Sequence, residues 1–158
     1  MKEGYKIIDI KTNKHDVLEA VRQKTGYTAA KIPSDEDVFD RISTIDEDED
    51  ELMRFFDECR VELAEELTDV MEEEGFILED NEDDYVLVID VPDSFNKNLT
   101  GSLNIALLNF FVYGIIARWF MYTNKEESLV YAEQSMSMLQ SIRQRTMNRI
   151  FTRTMRPF

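Results

Sequence analysis

The sequence predicts a mainly α-helical protein: a helical bundle around a central apolar helix at about 99–122, with one small β-hairpin at about 76–91 and an extended basic C-terminal tail. Three observations predict it. From Leu99 to Tyr122 the chain is apolar almost all the way round, with no formal charge between Lys97 and Arg118. On either side, apolar residues recur at spacings of three and four, as on the covered face of a helix. Finally, two runs that suit strands, Phe76-Ile77-Leu78 and Tyr85 to Val91, flank Asp80-Asn81-Glu82-Asp83, which is turn material.

The central stretch reaches the ~18 to 20 residues of a bilayer span, so a membrane reading competes with a buried one. Thr100, Gly101, Ser102, Asn104 and Asn109 lie inside it and Arg118 follows, all costly in hydrocarbon unless paired. A helix covered on every face by its neighbours tolerates amides that find partners. The core helix is therefore the expectation, and the single-span membrane protein an alternative.

In chain order, Tyr5 to Ile10 reads as a short strand or an extended arm. Asn13 caps a helix to Thr25 with the stripe Val17, Leu18, Ala20 and Val21, and Gly26 ends it. The only histidine, His15, sits in its first turn as a surface residue, without a second ligand at metal spacing. Ser34 starts a short helix carrying Val38, Phe39 and Ile42. Thr44 and Glu47 form a capping-box pair ahead of a long helix whose stripe is Leu52, Phe55, Phe56, Cys59, Leu63, Leu67, Val70 and Met71, stopped by Gly75. Its outer face is almost wholly acidic. Asp46, Asp48 and Asp50 fail as a calcium loop, because Glu51 and Asp57 stand where glycine and glutamate are needed. After the hairpin, Pro92 and a cap at Asp93 or Ser94 lead into the central helix. Thr123 and Glu126 then cap a last, antiparallel helix through Leu129, Ala132, Met136, Leu139 and Ile142.

At 158 residues the chain is one domain by size, 1–142, with a docking tail at 143–158. Its only cysteine, Cys59, reads as core packing. The start Met-Lys-Glu-Gly has no apolar run behind it, which points to synthesis into the cytoplasm.

The net charge of −15 hides an asymmetry. Between Asp35 and Asp93 the only bases are Arg41, Arg54 and Arg60, whereas from Gln134 onward there is no acid. The tail combines Arg143, Arg145, Arg149, Arg153 and Arg156 with Ile150, Phe151, Met155 and Phe158, a partner-binding composition of cations and apolar area. No nucleophile signature, metal-ligand set, cofactor motif or phosphate loop is present; Gly101 and Gly114 stand alone, for close helix packing. An enzyme is not expected.

Three segments of the C-terminal third carry a likeness: Arg118-Trp119-Phe120-Met121-Tyr122-Thr123-Asn124-Lys125-Glu126-Glu127, then Tyr131-Ala132, then the end Met155-Arg156-Pro157-Phe158. From Leu99 to Phe158 the chain resembles head-to-tail connector (adaptor) proteins of tailed phages infecting gut bacteria. The resemblance implies a virion subunit, made in the host cytoplasm. It also implies a homo-oligomeric ring, usually twelvefold, that binds the portal protein and other connector or tail proteins through a C-terminal segment while DNA passes without specific binding. An acidic DNA mimic that inhibits a host DNA-binding protein is the other alternative.

Overall fold

The computed structural model describes residues 3–30, 48–77 and 84–147. Three strands and four helices follow in order: β1 (Tyr5–Asn13), α1 (Lys14–Ala30), α2 (Glu49–Glu66), β2 (Met71–Ile77), β3 (Asp84–Pro92), α3 (Thr100–Phe120) and α4 (Lys125–Met147). A single 3-10 turn, Lys97–Leu99, leads into α3. The fold is mainly helical, with a small antiparallel sheet.

The central helix is the spine that its composition predicts. α3 packs against β1 and all three other helices, and residues from Leu103 to Phe120 supply about a third of the core, more than any other element among the described residues. Together with its leading turn, Lys97–Phe120, it is long and apolar enough to cross a membrane, yet half of its most apolar window is buried inside the protein. Two of its polar residues find partners in the chain. Asn104 Oδ1 accepts from the Lys11 backbone N–H at 2.9 Å, and Ser102 Oγ accepts from Arg145.

The expected hairpin is part of a larger sheet, of order β1-β3-β2. β3 sits in the middle because its run Tyr85 to Val91 suits burial from both sides. The N-terminal segment pairs with it antiparallel, placing Ile8 opposite Ile89, Ile10 opposite Leu87 and Thr12 opposite Tyr85. Those three β1 residues are buried, while Ile7 on the other face is 45 % exposed. The expected turn at 80–83 lies outside the described residues.

Several boundaries differ from expectation. α1 does not stop at Gly26 but continues to Ala30. Its start is as expected, with the Asp16 N–H donating to Asn13 Oδ1 at 3.1 Å. α2 ends at Glu66, nine residues before the glycine expected to stop it. The Val70 and Met71 N–H groups both donate to the Leu67 carbonyl, and this turn launches β2. Met71 keeps its place against the core as a strand residue, so the helical spacing ran straight through a turn. The helix expected from Ser34 and the capping box at Thr44 and Glu47 lie outside the described residues.

α4 is antiparallel to α3, as its short connection predicts, and Leu139 and Ile142 are buried as expected, but its first half turns a different side inward from the expected Leu129, Ala132 and Met136. Ser128, Ser135, Leu139, Ile142 and Thr146 point inward, whereas Leu129 is 60 % and Met136 45 % exposed. The serines are held by the spine itself: Ser128 Oγ donates to the Ala117 carbonyl at 2.7 Å and Ser135 Oγ to that of Phe110 at 3.0 Å. The helix is capped by Asn124, not Thr123; the Glu127 N–H donates to Asn124 Oδ1 at 3.4 Å.

Candidate functional site

The described residues carry two kinds of feature that bear on function: buried polar knots that fix the helices, and surface left uncovered.

The principal knot forms around Arg118, the one charge in the last turn of the spine. Its Nε donates to Glu58 (3.1 Å), its Nη2 to Glu62 (3.0 Å), and its Nη1 to the Gly114 carbonyl (3.1 Å) and to Cys59 Sγ (3.3 Å). Glu58 and Glu62 are one helical turn apart on α2, so both carboxylates meet one guanidinium fork. Cys59 between them is fully buried. Burial pushes its thiol up to about 12; Arg118 pulls it down only in part, and Glu62 and Glu58 push it further up. A thiol held protonated is no nucleophile, so the pairing of a cysteine with an arginine is structural here.

A second knot joins α2 to the sheet. Arg60 Nη1 donates to Glu74 Oε1 at 2.9 Å, and the Tyr85 hydroxyl donates to Glu74 Oε2. Burial first, then this bond to a carboxylate, raises the Tyr85 hydroxyl well above its ordinary value.

Both raised groups fix the sign of an alkaline effect. Below their ordinary values, 9.0 for the thiol and 10.0 for the phenol, folded and unfolded chains are equally protonated. As pH rises past 9 the unfolded chain releases the Cys59 proton while the folded one holds it up to about 12, so stability falls across that window. Urea denaturation from pH 8 to 11 checks this. Cys59→Ala is expected to flatten the decline above pH 9; a profile parallel to wild type would refute the thiol's part in it.

Of the predicted docking residues, Arg143 and Arg145 are not in a tail. They lie in the last turns of α4, which runs to Met147. Arg143 donates to the Glu66 carbonyl and to both oxygens of Asp69 at 3.3 Å, clamping the end of α2. Arg145 is engaged with Ser102. Two cations counted towards the tail thus offset acids or hold a hydroxyl within the same chain. Arg149, Ile150, Phe151, Arg153, Met155, Arg156 and Phe158 lie outside the described residues. The signal missed in the sequence is the row Glu58, Glu62, Glu66, spaced four apart on one helical side and facing the arginines of later helices.

The uncovered surface is of two chemistries. The outer side of α2 shows Glu49, Asp50, Asp57, Glu58 and Glu65, with Arg54 and Val61 among them. Beside it, Leu129 and Met136 stand seven residues apart on α4, next to Met121 (53 % exposed) and Tyr122 (93 %). Met121 and Met136 line one groove of about 280 Å³ between α3 and α4, floored by Gly114 and Ser135. Around the α3–α4 turn, Trp119, Tyr122 and Phe55 share a cleft of about 520 Å³ with Glu51 and Glu58. Among the described residues no group of three or more His, Cys, Asp or Glu is arranged to hold a metal ion.

No protein-family model, curated protein or solved structure matches this chain.

Proposed function

We propose that the protein is a structural virion subunit, a head-to-tail connector that forms a ring between portal and tail and lets DNA pass. The observation that carries this reading is the apolar strip of Leu129, Met136, Met121 and Tyr122, left uncovered beside an acidic helix face. Apolar area of this kind on a folded chain marks contact with another protein. A closed ring needs two different surfaces on each copy, and the strip and the C-terminal segment supply two. The acidic face of α2 suits a lumen through which DNA slides, since it offers phosphates few cations to hold them. The likeness of the segment from Leu99 to Phe158 to phage connectors supports the same reading.

Light scattering on the full chain without detergent, alone and mixed with the portal protein of the same phage, tests it. A small species that grows to ring size with portal is the expected result, and Leu129→Glu with Met136→Glu is expected to abolish growth while leaving the fold intact. A protein that stays small and ignores portal would transfer the reading to an acidic inhibitor of a DNA-binding protein. One that stays in solution only with detergent would transfer it to a membrane span through α3. Removal of 148–158 is the appropriate tail deletion. A cut at Gln144 would take away Thr146, which is fully buried.

A further inference from the structure

The cleft at the α3–α4 turn joins apolar surface to negative charge in a way that packing does not require. Phe55, Trp119, Met121 and Tyr122 line it, and Glu51 and Glu58 enter it from one side of α2, seven residues or about two turns apart. Tyr122 is almost wholly exposed and Met121 more than half. Large apolar side chains left in water beside a concave surface mark a contact.

Two arginines also line the cleft, and both are engaged within the chain. Arg54 donates to Glu51 Oε1 and lies over the Phe55 ring, its guanidinium 5.3 Å from the ring centre. Arg118 gives its Nε to Glu58 Oε2 and the rest of its fork to Glu62, Gly114 and Cys59. Each of the two glutamates thus uses one oxygen, and the other oxygen meets no donor among the described residues. Acid is in excess around them. From Asp48 to Glu58 there are six acids against one base, Arg54.

That charge decides what the cleft can hold. Nucleic acid is repelled, since its phosphates need cations that are free to meet them. A neutral apolar segment would cover both carboxylates without a counter-charge, which is unfavourable. Two glutamates are too few for calcium, which takes about six to eight oxygens. An arginine side chain satisfies every part of the lining: its planar guanidinium stacks on aromatic rings and forks onto carboxylates, and its stem covers apolar surface. Arg54, held by Glu51 over the Phe55 ring, is the same arrangement made within the chain.

We propose that this cleft is a docking site for an arginine-bearing segment of a partner protein, whose guanidinium meets the Tyr122 and Trp119 rings and the remaining oxygens of Glu51 and Glu58. The proposal goes beyond the connector reading and does not need it, because the chemistry identifies the segment and not the assembly that carries it.

Trp119 is the only tryptophan of the chain, so its fluorescence reports on the cleft directly. The full chain is titrated at pH 7 with the acetylated and amidated tripeptide leucyl-arginyl-leucine, and with the same peptide carrying citrulline, which keeps the shape of arginine without its charge. The arginine peptide is expected to shift the emission with a Kd of about 1 mM or tighter, and the citrulline peptide to bind at least about tenfold more weakly. Glu51→Gln with Glu58→Gln is expected to remove that preference, and Tyr122→Ala to weaken the arginine peptide at least about threefold. No response to the arginine peptide would overturn the proposal. Equal binding of the two peptides to wild-type protein would make the cleft a plain apolar groove and overturn it as well; this comparison stands even where the glutamine pair fails to fold through loss of the Glu58 bond to Arg118. A response that appears only after removal of 148–158 would assign the cleft to the chain's own segment and overturn the partner assignment.

Discussion

Phe111→Ala is expected to cost about 3–5 kcal/mol, the largest loss of any single truncation in the core. Phe111 is fully buried at the middle of the spine and stacks on Phe56 of α2, with ring centroids 4.2 Å apart and planes 6° from parallel. The Tyr85 ring of the central strand meets it edge-on at 5.5 Å, and Phe110 does so at 5.4 Å. One side chain thus joins a helix pair to the sheet, and its removal leaves a cavity bounded by rigid rings that cannot collapse into it. Against a total of about 5–15 kcal/mol for a domain, that loss brings the chain close to unfolding. Phe111→Leu, which keeps most of the volume, is expected to lose under about 2 kcal/mol. Urea titration followed by far-UV circular dichroism measures both. A loss below about 1 kcal/mol for the alanine variant would mean that the ring cluster does not hold the elements together.

The second large effect is one of sign. At an open helical position, glycine to alanine gains about 1 kcal/mol, because alanine loses less backbone freedom on folding. Gly114→Ala is expected to lose about 1–3 kcal/mol instead. A Cβ built there would stand 2.7 Å from Cys59 Sγ and 3.1 Å from Ser135 Oγ. Neither atom has an easy retreat, since the thiol is enclosed and the hydroxyl is tied to the Phe110 carbonyl. Three helices meet at this glycine. Pairing the change with Cys59→Ala, which deletes the nearer atom, is expected to recover a large part of the loss. Without such recovery, the close approach is not what makes glycine necessary. Gly101 meets nothing within 4 Å, so the packing expected of both spine glycines applies to Gly114 alone.

What the sequence made legible follows from how locally each signal acts. The spine was legible because an uncharged run of its length has few other solutions, and β3 because Tyr85 to Val91 is a continuous run of strand formers between turn signals. The end of α2 was not, because Leu67, Val70 and Met71 keep helical spacing through a turn that contains neither glycine nor proline. On α4 Leu139 and Ile142 are legible as inner residues, but the first half of the inner face is not, for the opposite reason. Hydrophobicity ranks Leu129 and Met136 above Ser128 and Ser135, but a hydroxyl that finds a main-chain carbonyl is small and satisfied, and it lets two helices approach where leucine would hold them apart. The docking residues were legible only in part. Composition marks the cluster of arginines, but nothing in it separates Arg143, which answers Asp69 in its own chain, from those beyond Met147.

The order of the sheet governs how this chain reaches its fold. β2 and β3 are joined across about six residues, whereas the pairing of β1 with β3 closes a loop of about 70. Closing the longer loop costs roughly 2 kcal/mol more in chain entropy. The local hairpin therefore forms first and the N-terminal strand arrives last, which gives this helical protein the slower kinetics of non-local strand pairing. On the ribosome, β1 emerges first and waits for a partner some 70 residues behind it. Until β1 docks, β3 presents a bare edge of unpaired backbone groups, and at high expression that edge is where nascent copies capture one another.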